Sequence, residues 1–266
     1  MADNTPEHDS NAELSLLQRK LIDASHILHY HGVLDAYGHV SFRHPLRPDV
    51  FVMSRSMAPG TVSSPEDLVT YNVHDASPVG DTQAAGFIER MIHSETYKRH
   101  PHVQSVVHSH AEDVVAYSIA GVPFRACYHM AGFLGARGAP VFDIAKHIGP
   151  EDLPNMLVCN THTGAALATC FDDGSVLALM RGHGFTTVAG SIELAVFQAV
   201  YAKKNAVIST SSLFIQAALS QGSRGPQCLS DREAEAAAEA NETTVQRPWK
   251  LWVEEVRACS FYTNSA

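Results

Sequence analysis

In the stretch VVHSHAEDVV, residues 106–115, His108 and His110 stand two positions apart at the end of an apolar run. Side chains at i and i+2 of a strand project from one face, so both imidazoles can turn toward one ion while Ser109 points away. Imidazole is the commonest metal ligand, and three histidines with an open position make a catalytic metal site. The chain holds 16 histidines, so an HxH pair can also arise by chance. A third histidine raises the odds against chance. His183, in MRGHGFTTVAG, has glycine on both sides, which lets backbone and ligand come close. Glu89, shortly before the HxH strand, adds a carboxylate within reach of the same cavity, with Glu95 as a competitor. Three histidines and a carboxylate at the ends of elements point to a site for a divalent metal.

The surrounding pattern supplies elements to position them. From Leu14 the segment LSLLQRKLIDASHILHYHG has helical apolar spacing and stops at Gly32. HVSFRH and DVFVMSR read as two strands, and LVTYNVHDASPVG as two short strands around a turn. GFIERMIHSETYKRH, residues 86–100, reads as a helix ended by Pro101 and carrying Glu89. VQSVVHSH is then a strand and AEDVVAYSIAG a helix closed by Gly121. PVFDIA and the residues around NMLV read as short strands or edges, THTGAALATCF as a helix, and SVLALMRGHG as a strand ending at His183. Ser191 to Leu219 is an Ala-rich helix, and SDREAEAAAEANE is a further one, with acids near its N-terminus. The organisation expected is a mobile tail over 1–11, one α/β domain over 12–220, and a C-terminal helical extension over 221–266, packed on the domain or on a neighbouring subunit.

Composition restricts the function class. The 266 residues are 45% hydrophobic and 18% charged, as in a soluble globular enzyme, and the formal net charge is −9. That charge, with no Lys/Arg-rich run, argues against nucleic acid as a partner. No apolar run reaches the length a membrane span needs. Five scattered cysteines without CxxC spacing read as reduced thiols, and the polar acidic N-terminus does not read as a targeting peptide, so a cytoplasmic enzyme is expected.

The motifs taken together carry a resemblance. GHVSFR, then GFIERMIHSETYKRHPHVQSVVHSHAEDVVAYSIAG, then LMRGHGFTTVAGSIELAVFQAVYAKKN resemble the class II aldolase/adducin family, from about Glu13 to Ser212. The resemblance implies an αβα fold with a central, mostly antiparallel sheet flanked by helices, and a homotetramer with sites at subunit interfaces. It implies His108, His110 and His183 as ligands of a divalent ion, with Glu89 as a further ligand or acid/base. Zn2+ or Mn2+ is expected, with Fe2+ or Co2+ as alternatives.

Sugar-phosphate aldolases of that family hold a phosphate where this chain places His39, SRSMAPG and Gly86-Phe87-Ile88. An apolar pair cannot bind a dianion. Instead HGVLDAYGHVSFRHP, MSRS and LMRGHG resemble the family's branch of metal-dependent hydroxypyridine dicarboxylate decarboxylases. That resemblance implies a carbon–carbon lyase, foremost a decarboxylase of a hydroxy- or keto-carboxylic acid working through a metal-stabilised enolate. The alternatives are an aldolase on a non-phosphorylated substrate, an Fe(II) oxygenase, or a non-catalytic adducin-like module. Arg55, flanked by Ser54 and Ser56, offers a forked cation for a substrate carboxylate, or else a surface ion pair. The expected substrate-binding residues are therefore Arg55, Ser54 and His39, and the expected catalytic residues are Glu89 and His39. His93, His100, His102, His129, His147 and His162 read as surface or structural, and Trp249 and Trp252 as core packing or as a lid on a neighbour's site.

Overall fold

The computed structural model of the chain describes residues 6–80, 84–219 and 225–266. Helix α1 (Pro6–Tyr30) is followed by strands β1 (His39–Arg43), β2 (Val50–Ser54) and β3 (Leu68–Asn72). A 3-10 turn over Ile88–Arg90 leads into α2 (Met91–Arg99), then β4 (Ser105–Ser109) and α3 (Glu112–Ile119). Next come β5 (Val141–Phe142), α4 (Thr161–Ala168), β6 (Leu177–Met180), β7 (Gly184–Ala189) and the long α5 (Ile192–Ala218). Helices α6 (Asp231–Thr244) and α7 (Gln246–Ala258) complete the described elements. The sheet runs β3-β2-β1-β4-β7-β6-β5, antiparallel throughout except for the parallel β5–β6 edge pair. It is the mostly antiparallel, helix-flanked sheet expected.

Alternation along the strands sorts the side chains onto two faces. Val107, Leu177 and Leu179 join the core that includes residues of α1, α5 and α7. Their neighbours Val106, Ala178 and Met180 join the opposite core, with Ile92 and Tyr97 of α2 and Leu167 of α4. Position 108 shares the face of Val106, so the HxH pair belongs to the α2/α4 side. In α1 the buried residues Leu21, Ala24 and Leu28 follow the helical period, and Gly32 closes the helix at φ +62 while Val33 N–H donates to Leu28 O.

Several expectations need correction. Residues 77–80 make an isolated bridge between Pro78 and Tyr71, not a strand, and residues 155–158 form no strand. GFTTVA, unassigned in the sequence reading, is β7, and it sits centrally between β4 and β6. The first helix opens at Pro6, eight residues before Leu14; residues 1–5 and the 220/221 boundary lie outside the described residues. All five cysteines are free and partly buried.

Candidate active site

The residues of interest come from four places in the chain and meet at one end of the sheet. His39 of β1 pairs directly with His108 of β4, whose other neighbour, Thr186, lies on β7. His110 follows the end of β4, and His183 lies in the β6–β7 hairpin. Two glycines shape that hairpin. Gly182 has φ +64, a conformation that excludes most side chains, and a Cβ on Gly184 would collide with the Ser109 carbonyl and crowd His110. Glu89 was expected on a helix. It stands instead in the 3-10 turn before α2, at φ −89 and ψ 17, and this kink aims its carboxylate inward.

Glu89, His108, His110 and His183 offer ligand atoms that all lie within 4.8 Å of one another. His110 Nε2 is 3.0 Å from His108 Nε2 and 3.1 Å from His183 Nε2. Glu89 Oε2 stands 3.7 Å from His108 Nε2 and 3.5 Å from His183 Nε2. Its other oxygen accepts the Val158 N–H at 3.0 Å. The competitor Glu95 is paired with Lys98 at 3.2 Å and takes no part.

The far ring nitrogens decide what this cluster can hold. His108 Nδ1 faces the Phe185 carbonyl at 3.2 Å, His183 Nδ1 the Met156 carbonyl at 3.0 Å, and His110 Nδ1 the Asp35 carboxylate at 3.3 Å. Each of these partners only accepts, so each Nδ1 carries the proton and each Nε2 presents a lone pair. Three lone pairs and a carboxylate then face one another with no proton among them, an arrangement that calls for a cation. Ligating histidines are oriented in this way, with the outer nitrogen donating to a carbonyl or carboxylate. The electrostatics agree. Burial raises the Glu89 pKa, but the His183 and His108 side chains and the Val158 N–H outweigh it and hold it down at about 2. His108, fully buried, is kept well below the usual histidine range by desolvation. His183 is drawn upward by Glu89 against its own burial, which is the carboxylate's demand for positive charge. The donor set fits a divalent ion with nitrogen and carboxylate preference.

Beside the cluster opens a cavity of about 650 Å³. Tyr37, His39, Met57, Phe87, Ile88 and Leu157 line it, together with Glu89 and His110. Of the expected substrate-binding residues, the structure brings only His39 there. Ser54 is buried at the end of β2, and Arg55 is ion-paired with Asp67 at 2.7 Å; neither lines the cavity. Trp249 and Trp252 are buried in the core on the α1/α5 side of the sheet.

Two residues escaped the sequence reading. Asp35 supports His110 while accepting the Tyr37 and Gly38 N–H groups, and the Asp-x-x-Gly turn was its one visible signal. His93, read as surface or structural, is fully buried and lies 2.7 Å from His39 Nδ1.

Comparison with known proteins agrees with the geometry. The sequence profile of the class II aldolase and adducin N-terminal domain matches residues 19–210. The chain is 49% identical over 267 residues to decarboxylase tropJ of Talaromyces stipitatus, covering 96% of this chain and 100% of that protein. It is 30% identical over 169 residues to the 3,4-dihydroxyphthalate decarboxylase of Rhodococcus jostii, with 61% of this chain and 65% of the other covered. Among solved structures, L-fuculose 1-phosphate aldolase from Glaciozyma antarctica superposes with a TM-score of 0.69 at 18% identity, over 97% of this chain and 93% of that one. The likeness at that identity is one of fold, while the profile match spans every strand of the described sheet and the Talaromyces stipitatus relative matches 96% of the chain. By these matches, the chain belongs to the class II aldolase/adducin family.

Proposed function

We propose that this protein is a carbon–carbon lyase that decarboxylates a planar hydroxy-carboxylic acid, with a divalent ion held by His108, His110, His183 and Glu89. The observation that carries the reading is the convergence of three imidazole lone pairs and one carboxylate, with every outer nitrogen committed as a donor. When bound, such an ion supplies Lewis acidity to substrate oxygens that chelate it. Zn2+ and Mn2+ head the candidates, ahead of Fe2+ and Co2+.

The residues of the chain supply the rest. The ring of Phe87 packs 4.7 Å from that of His39, and with Ile88, Met57 and Leu157 it gives the cavity walls suited to a flat ring. None of the described lining residues is a lysine or arginine, which disfavours a sugar phosphate and leaves a carboxylate to be met by the ion and by neutral donors. Loss of carbon dioxide leaves the bonding pair on carbon, where a proton takes its place. Water entering at the mouth, where Tyr37 is 72% exposed, can deliver it. The relatives named as decarboxylases, one of them for a dihydroxyphthalate, support this choice of reaction and substrate class. A homo-oligomer is part of the proposal, supported by Val207, Phe214, Ile215 and Leu219 standing exposed along the outer half of α5 and just beyond it. No described helix is long and apolar enough to cross a membrane.

The first test is metal content by elemental mass spectrometry on wild type and His110→Ala, followed by carbon dioxide release from ortho-hydroxy aromatic acids. About one transition metal per chain, lost in the variant, with carbon dioxide evolved by wild type alone, is the expected result. A wild type that binds no metal after reconstitution sinks the reading. A trapped aldehyde in place of carbon dioxide would turn it into an aldolase.

A further inference from the structure

Behind the cavity wall runs a chain of buried polar groups. His39 Nδ1 lies 2.7 Å from His93 Nε2; His93 Nδ1 lies 2.6 Å from Ser41 Oγ; and Ser41 Oγ lies 2.7 Å from Tyr97 Oη. His39 and Ser41 share one face of β1, and His93 and Tyr97 are one helical turn apart on α2. All four are at most 2% exposed.

The protons in this chain can be assigned from its far end. Tyr97 has one hydroxyl proton, and among the described residues Ser41 Oγ, 2.7 Å away, is the side-chain partner of its oxygen. The phenol proton therefore goes to Ser41, and the serine proton goes to His93 Nδ1. His93 then carries its own proton on Nε2 and gives it to His39 Nδ1. His39 is left with a proton on Nε2. The one side-chain hydrogen bond of the His39 ring among the described residues is at Nδ1, and His39 lines the cavity.

We infer that Tyr97, Ser41 and His93 are positioning residues that lock His39 as the Nε2–H tautomer, and that this N–H is the neutral donor gripping an oxygen of the substrate's carboxylate. The substrate half of the inference rests on the proposed function. The chain is a lock and not a proton wire. It ends at Tyr97, 1% exposed beneath the Arg43 guanidinium 4.8 Å from its ring centre. A proton drawn out through His39 would have to be replaced from the phenol, and burial pushes that phenol far above its ordinary range, past what Ser41, Arg43 and Val106 return. His39 thus holds its proton and donates a hydrogen bond with it. This assigns it a binding role in place of the acid–base role expected from the sequence.

The test uses the zinc-loaded full chain with 15N-labelled histidine and salicylate, an ortho-hydroxy carboxylate, as the probe. Long-range proton–nitrogen NMR is expected to show His39 protonated at Nε2 in wild type and a mixture of tautomers in Ser41→Ala. Tyr97→Phe, which frees the serine hydroxyl to turn either way, gives an intermediate mixture and guards against a folding defect in the first variant. Salicylate affinity falls about tenfold in Ser41→Ala and in His39→Phe, the scale of one hydrogen bond to a charged group. In the His39→Phe background, adding Ser41→Ala costs nothing further. A wild-type His39 protonated at Nδ1 overturns the lock. Equal loss in both backgrounds, or no salicylate binding to wild type, overturns the donor role. Intact tautomer and coupling with no carbon dioxide from any acid would instead overturn the reaction and leave this inference standing.

Discussion

Each proposed ligand histidine sends its outer proton to a different acceptor, and only one of those acceptors is ionised. Asp35 is half-exposed, and burial raises its pKa less than the Tyr37 and Gly38 N–H groups and His110 lower it, so it is a carboxylate at neutral pH. Asp35→Asn keeps the size but can turn its amide donor toward His110 Nδ1 and favour the wrong tautomer. We expect metal affinity to fall roughly 10- to 100-fold, measured by competition with a chelator, with little change in melting temperature. Three of the four proposed ligands carry a local signal in the sequence, a strand period for His108 and His110 and a glycine pair for His183, while the family resemblance is what prefers Glu89 to Glu95. Asp35 and His93 were not legible, because a role that exists only through a tertiary contact leaves no periodic trace. Arg55 is ambiguous in the sequence for the complementary reason. A forked cation beside serines looks the same whether its partner is a ligand or, as here, Asp67.

At the scale of elements, the β6–β7 hairpin controls the geometry. Gly184 brings that hairpin against the end of β4 so closely that any Cβ meets the Ser109 carbonyl. Gly184→Ala is expected to cost about 1–3 kcal/mol, the usual penalty for overpacking, and to lower bound metal as well, because it pushes His183 away from His110. Thermal denaturation and elemental analysis of the same sample check both effects. The strand after that glycine was the principal omission of the sequence reading. GFTTVA lacks the hydrophobic alternation of a half-buried strand because both of its faces are covered, and its two threonines find internal partners in Met180, Val176 and Gln198. The 3-10 turn at Glu89 was hidden for a different reason. Residues 87, 88, 91 and 92 keep a helical apolar period through a backbone kink, and periodicity cannot register a kink.

The whole molecule carries an acid liability away from the site. His31, T-shaped against Trp252 of α7, is held near pKa 4 by burial and by Lys204 and Lys203, although Glu255 Oε2 lies 3.7 Å from its Nε2. An unfolded histidine titrates near 6.5. Between those values the unfolded chain binds more protons than the folded one, so stability is lost as pH falls from about 6.5 toward 4. Melting temperature should therefore drop from pH 7 to pH 5, and drop less in His31→Phe, which retains the ring and loses the charge. A variant slope equal to wild type would show that the other buried histidines carry the whole effect.

Two of the three outer-nitrogen acceptors, the carbonyls of Met156 and Phe185, belong to the main chain, and no codon change can delete them. The third is a side chain. If the proposed ion is held there, heritable drift in how firmly it is kept, and in which ion is kept, therefore has one cheap point of entry. A library selected for growth on a different metal is expected to return substitutions at position 35 before it returns any at the ligands themselves.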